Sequence, residues 1–179
     1  MIEIDIKKDN IQTKTIRRRK GQVITLAIDQ ATNKSGYSIF KNGELEVYGT
    51  IQTTASNDLI KRIDELIIIL RVLIFNYEPD YIAIEDVQLQ RNTRGLISLS
   101  KLLGSLELEL SRLRIPYEVI NSNTWKSTCE IKGRKRAEQE ENVKKFISET
   151  YGIEDIAPDS ADAIAINYHL NKTLEERSD

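Results

Sequence analysis

From Gln22 the chain turns apolar, and Val23-Ile24-Thr25-Leu26-Ala27-Ile28 reads as a buried strand that stops at Asp29. A polar loop, Gln30 to Ser35, leads into a second strand over Gly36-Tyr37-Ser38-Ile39-Phe40. Lys41-Asn42-Gly43-Glu44 then reads as a hairpin turn, because Asn-Gly supplies the positive φ angles of a type I′ turn. Leu45 to Gln52 returns as a third strand, so the opening predicts three successive antiparallel strands. Beyond the capping run Ser56-Asn57-Asp58 the period lengthens, with Ile60, Ile63, Ile67, Leu70 and Ile74 at helical spacing over Leu59 to Phe75. After Pro79, Tyr81-Ile82-Ala83-Ile84-Glu85 is a short buried strand, and a long helix follows from about Leu96 to Arg112. Pro116 to Ile120 gives another strand, and Ser122 to Gly133 is irregular and polar. Arg134 to Thr150 reads as a charged helix, and Pro158 starts a last helix, Asp159 to Leu170. The order β-β-β-α-β-α-β-α-α predicts an α/β architecture, a mixed sheet with helices on its faces.

Composition adds exclusions. A chain of 179 residues suits one domain, here read as residues 22–179 behind a basic arm or extra strand over 1–21. Hydrophobic residues at 40% and charged residues at 30% describe an ordinary globular chain. The longest apolar run, Leu66 to Phe75, is broken by Arg71 and falls far short of the ~20 residues of a membrane span. The opening MIEIDIKKDNIQ has no apolar segment ahead of a cleavage site, so no secretory leader is expected. One cysteine, Cys129, excludes an internal disulfide and a Cys-rich zinc site, and one histidine, His169, excludes chemistry that needs two imidazoles. A reduced, cytoplasmic setting follows as the default.

Charge changes the picture more. The net charge of −2 hides two basic clusters, Lys14-Thr15-Ile16-Arg17-Arg18-Arg19-Lys20 and Lys132-Gly133-Arg134-Lys135-Arg136. A phosphate backbone senses charge within a Debye length, so these patches matter more than the sum. Solvated surface explains each patch equally well when it is taken alone.

Four carboxylates stand at telling places. Asp29 and Glu85 each end an apolar strand, and Asp159 and Asp162 share a face at the start of the last helix. Each has an ordinary explanation as a turn cap or an acidic first helical turn. Together, two adjacent strand ends and a helix start would gather like charges that repel until a divalent cation neutralises them. Oxygen-only ligation selects Mg²⁺ or Mn²⁺ over zinc. Two such ions about 4 Å apart suit phosphodiester hydrolysis. Strand alternation sends Asp86 to the face opposite Glu85 and out of the cluster.

These residues carry a resemblance. Ile28-Asp29 with Ser35-Gly36-Tyr37-Ser38-Ile39, then Ala83-Ile84-Glu85-Asp86-Val87, then Asp159-Ser160-Ala161-Asp162-Ala163-Ile164-Ala165-Ile166 resemble the signatures of RuvC-type Holliday-junction resolvases. Asn123-Thr124-Trp125-Lys126 and Gly133-Arg134-Lys135-Arg136-Ala137 resemble their basic loop and helix start, and the likeness runs in order over about residues 22 to 170. The resemblance implies an RNase H-like fold, with a five-stranded sheet of three antiparallel and then two parallel strands. It implies a homodimeric endonuclease that cuts branched DNA with two Mg²⁺ ions per site. Asp29 would bridge both ions, and Glu85, Asp159 and Asp162 would complete their coordination. Lys126 and Arg136 match positions that contact phosphate near the cut, while Lys132, Arg134, Lys135, Arg91 and Arg94 are candidates for backbone phosphates.

The departures are those of a divergent member, as from a phage or virus. Gln30-Ala31 stands where the family has Pro-Gly, Gln88 stands where it often has an aromatic wedge, and the basic arm is extra. Trp125 is a core residue by habit and a base-stacking candidate by chemistry. His169, late in the last helix, reads as structural or exposed. In the long helix Leu96, Leu99, Leu103, Leu106, Leu110 and Leu113 form one apolar stripe, with Leu102 and Leu108 off it and Gly104-Ser105 permitting close approach. That fits a second subunit's helix, and it fits a wide core-facing stripe in a monomer equally well.

Three other readings stay open. The nuclease could act on a flap, RNA or transposon DNA, or the domain could bind DNA without catalysis. A related ATPase would need Gly at the position of Ala31 to admit phosphate.

Overall fold

The computed structural model describes residues 21–88 and 92–177. Apart from Gly21, the basic arm read at the start of the chain lies outside them, and so does Arg91. Strands β1 (Ile24–Asp29), β2 (Lys34–Lys41) and β3 (Glu44–Gln52) form an antiparallel meander. Helix α1 (Leu59–Tyr77) returns the chain to β4 (Tyr81–Glu85), parallel to β1, and α2 (Thr93–Leu113) returns it to β5 (Tyr117–Ile120), parallel to β4. The sheet order is β3-β2-β1-β4-β5. Then come α3 (Ser122–Thr128), α4 (Arg136–Tyr151) and α5 (Pro158–Glu176). The expected α/β layers and strand directions are those found.

The punctuation follows local chemistry. Asn42 and Gly43 take positive φ between β2 and β3, and the Asn42 side chain accepts the Val23 N–H. Asp58 caps α1 by accepting the Lys61 N–H.

Alternation along the strands divides the core. Leu26 and Ile28 of β1 with Ile82 and Ile84 of β4 face α1 and α2, in one apolar layer. Ala27 and Ala83 face the other way, into a layer with α3, α4 and α5. Those small residues let α5 lie close to the sheet. Gly36 goes further: a Cβ there would stand 1.8 Å from the Asp159 carbonyl oxygen, so only glycine lets β2 meet the start of α5. A buried polar net then fixes α5 along its axis. Thr25 donates its hydroxyl to Asn167 Oδ1 at 2.6 Å, Asn167 Nδ2 donates to the Ser38 carbonyl at 3.0 Å, and Ser38 donates to the Ala163 carbonyl at 2.8 Å.

Three expectations are corrected. The segment 122–133 is not irregular throughout, because Asn121 caps α3 and Trp125, fully buried, anchors it. Helix α5 runs to Glu176, beyond Leu170. In α2 the core ridge is Leu102, Leu106 and Leu110, while Leu113 is exposed. Leucines occupy both flanks of that ridge, so spacing alone did not choose the face. The ridge is set by packing against α1, where Arg71 Nε and Nη2 grip the Glu109 carboxylate at 2.6 and 2.9 Å.

Candidate active site

The same alternation that places Ala27 and Ala83 under α5 carries on to Asp29 and Glu85, two residues further along each strand. Both carboxylates therefore emerge at the carboxyl ends of parallel neighbours, on the face that α5 covers. Helix α5 begins there, with Asp159 in its first turn and Asp162 one turn on. Asp29, Glu85, Asp159 and Asp162 line one cleft of about 410 Å³.

Their charges act on one another. Asp29 is pushed well above the usual carboxylate range, by burial first and then by Glu85, Asp162 and Asp159. A side-chain hydrogen bond with Glu85 adds to that shift. Asp162 is raised to about 7, again by burial first and then by Glu85, with Lys126 pulling the other way. Among the described residues no three His, Cys, Asp or Glu side chains are already closed into a ligand sphere. The donor set nevertheless fits a hard divalent cation: it is all carboxylate oxygen, it is partly withdrawn from water, and its charge is uncompensated enough to retain protons.

Lys126 and Arg136 reach the same cleft from α3 and α4. Lys126 Nζ donates to Gln139 at 3.1 Å and lies 5.1 Å from the Trp125 ring centroid. Arg136 Nε bonds Glu140 at 2.7 Å with its side chain 92% exposed, so the guanidinium remains open to a ligand. Lys132, Arg134 and Lys135 stand exposed on the turn between α3 and α4, outside the cleft lining. Arg94 is exposed in the first turn of α2, likewise outside the lining.

Asp86 is among the residues that line the cleft. Its main-chain N–H continues the β4–β5 ladder, donating to the Ile120 carbonyl at 2.9 Å, and Asp86 is absent from the groups that shift Asp29 and Asp162. Its carboxylate is engaged locally, accepting the Val87 N–H at 2.7 Å. Trp125 is core, not a surface stacking platform, and its Nε1 donates to Glu85 Oε1 at 3.1 Å. His169 is half-buried, its Nδ1 is 2.7 Å from the Thr128 hydroxyl, and burial lowers its pKa. Sequence reasoning missed Lys34, whose ammonium lies 3.7 Å from Asp159, and Gln139, which holds Lys126. Lys34 was legible only through its place two residues before Gly36, the contact point with α5.

A family model described as crossover junction endodeoxyribonuclease RuvC matches residues 25–169. Curated proteins of that description are similar over most of the chain. The one from Citrifermentans bemidjiense is 27% identical over 149 residues, covering 80% of this chain and 89% of the relative. That from Syntrophomonas wolfei is 26% identical over 162 residues, with 84% and 92% covered. Among solved structures, Thermus thermophilus RuvC in complex with a Holliday junction substrate superposes with a TM-score of 0.71 at 13% identity, covering 86% of this chain and 96% of that one. The yeast mitochondrial Holliday junction resolvase gives 0.55 at 13% identity, with 85% and 80% covered. These superpositions show a shared fold, the RNase H-like one.

Proposed function

The chain belongs to the RuvC family of crossover junction endodeoxyribonucleases, and we propose that it hydrolyses phosphodiester bonds in four-way or other branched DNA with two Mg²⁺ ions per site, Mn²⁺ substituting. One observation carries the reading: two strand ends and a helix start bring Asp29, Glu85, Asp159 and Asp162 into one cleft, where burial and mutual repulsion raise the protonation of Asp29 and Asp162. A site built for neutral ligands has no use for that arrangement. When bound, the two ions supply an activated water and stabilise the leaving oxygen.

The protein's own residues do the rest. Asp29 senses all three other carboxylates and is the natural shared ligand, with Glu85, Asp159 and Asp162 completing the set. Lys126 and Arg136, on the cleft wall, orient the phosphate and offset its charge. Lys132, Arg134 and Lys135 extend a positive surface beside the cleft for backbone phosphates, and Arg94 and Arg91 belong to the same task. Gln88 at the cleft replaces an aromatic wedge with a polar side chain, which weakens base insertion without touching the chemistry.

A four-way junction has two equivalent strands to cut, and a two-fold dimer matches it. The outward face of α2 suits the contact. Ile97 and Leu108 are 50% and 52% exposed, and a Cβ on Gly104 between them would meet nothing within 4 Å.

The test is incubation with labelled four-way junction, flap and linear duplex, in Mg²⁺ and in EDTA. Paired symmetric cuts in the junction, lost in EDTA and sparse on linear duplex, are the expected result. Undiminished cleavage in EDTA overturns the metal-dependent reading, and equal cutting of linear duplex overturns structure selectivity.

A further inference from the structure

Glu85 is held from two directions by residues that ligate nothing themselves. The Trp125 indole N–H donates to its carboxylate at 3.1 Å, and the Gln30 amide Nε2 donates to its main-chain carbonyl at 2.9 Å. Neither contact is explained by packing alone. Trp125 is fully buried, and a buried indole N–H needs an acceptor, yet the one it uses belongs to the carboxylate cluster. Gln30 is 8% exposed, and its Oε1 has no hydrogen-bond partner among the described residues. Burying an amide with an unpaired oxygen costs stability, so the residue's one evident benefit is its grip on Glu85.

Resting on the metal-site reading above, we propose that Trp125 and Gln30 are positioning residues that fix Glu85 for cation binding. Gln30 joins the end of β1 to the end of β4 just past the last ladder pair, Ile28 with Ile84, and so sets the spacing between Asp29 and Glu85. Trp125 fixes the rotation of the carboxylate and leaves its second oxygen to a cation. A donor outside the coordination sphere that orients a ligand in this way raises affinity without touching the metal.

The chain has a single tryptophan, so indole emission reports the surroundings of Trp125 alone. Mn²⁺ titrated into the protein should quench Trp125 saturably, and Asp29→Asn should abolish the quenching. Trp125→Phe keeps an aromatic ring and removes the N–H. Replacement of Trp125 by benzothienylalanine also keeps the two-ring shape, and it decides the matter if the Phe variant is poorly folded. Free-Mn²⁺ electron paramagnetic resonance, which needs no tryptophan, should show the half-saturation concentration rising about tenfold in both, the low end of what losing such a partner costs. Gln30→Leu, which retains the fluorophore, should shift the quenching curve in the same direction. Wild-type Mn²⁺ affinity in a folded benzothienylalanine protein overturns the role of Trp125, and an unshifted curve in Gln30→Leu overturns that of Gln30. If the unaltered protein shows no saturable Mn²⁺ binding, the carboxylate reading itself fails, and this inference falls with it.

Discussion

Replacing Asp162 by Asn should stabilise the metal-free protein at pH 8 while it removes cleavage. The Asp162 carboxyl titrates at about 7 in the fold against an ordinary 3.8, because burial and then Glu85 disfavour its charge. The folded state therefore holds this proton more tightly than the unfolded chain does. Below pH 3.8 the group is neutral in both states and costs nothing. As pH rises from there, the unfolded chain gives up the proton and the folded one keeps it, so stability falls until the loss is complete above about 7. A gap of about three pH units, at ~1.4 kcal/mol each, sets a ceiling of roughly 4 kcal/mol. Lys126 offsets some of that penalty already, and water in the open cleft solvates the charge. The new amide must also find partners for its two N–H groups. About 2 kcal/mol is the expected gain, which in a domain of this size raises Tm by ~4–8 °C.

The assay is thermal unfolding of both proteins in EDTA at pH 8 and pH 4.5, repeated at pH 8 with excess Mg²⁺. Asp162→Asn should melt higher at pH 8, and the gain should shrink to roughly a quarter at pH 4.5, where the aspartate is protonated in the fold and about five-sixths ionised outside it. Mg²⁺ should raise the Tm of the unaltered protein by mass action and leave the variant nearly unmoved. A variant that melts lower at pH 8 in EDTA, or gains equally at both pH values, refutes the electrostatic account of the cleft.

Asp29→Asn and Glu85→Gln should each abolish junction cleavage and leave junction affinity equal or higher in gel shift, with the double variant no worse than either. Asp86→Asn should cut at near the normal rate, since an asparagine oxygen still accepts the Val87 N–H. Joint replacement of Lys132, Arg134 and Lys135 by Ala should weaken binding to every DNA form and flatten the log–log salt dependence by up to about 2.7, at ~0.9 per phosphate contact. Gly36→Ala should cost ~1–3 kcal/mol in urea unfolding and depress cleavage with it, because the start of α5 must move away from β2. Leu108→Glu should give a monomer by light scattering at micromolar concentration with unchanged Tm, whereas Leu102→Glu should unfold the domain, its side chain being only 1% exposed.

What the sequence disclosed about the site was its parity. A strand that reads apolar at every position hides which residues share a face, but the face is fixed once the terminal carboxylate is counted back in twos. Asp29 lies with Ala27 and Thr25, and Glu85 lies with Ala83. The alanines matter as much as the acids, because they are what let a helix lie near enough to add Asp159 and Asp162. Parity alone could not rank Asp86, which is among the residues lining the cleft although its carboxylate turns back to the Val87 N–H. The second helical layer was hidden for a different reason. Helix α3 is a seven-residue run, Ser-Asn-Thr-Trp-Lys-Ser-Thr, with little intrinsic preference for a helix. What stabilises it is tertiary: a buried tryptophan whose ring packs under α4 and α5 and whose N–H ends on Glu85. The same contact makes α3 a helix and ties it to the carboxylates. A local reading of residues 122–133 therefore had to miss both the element and its purpose.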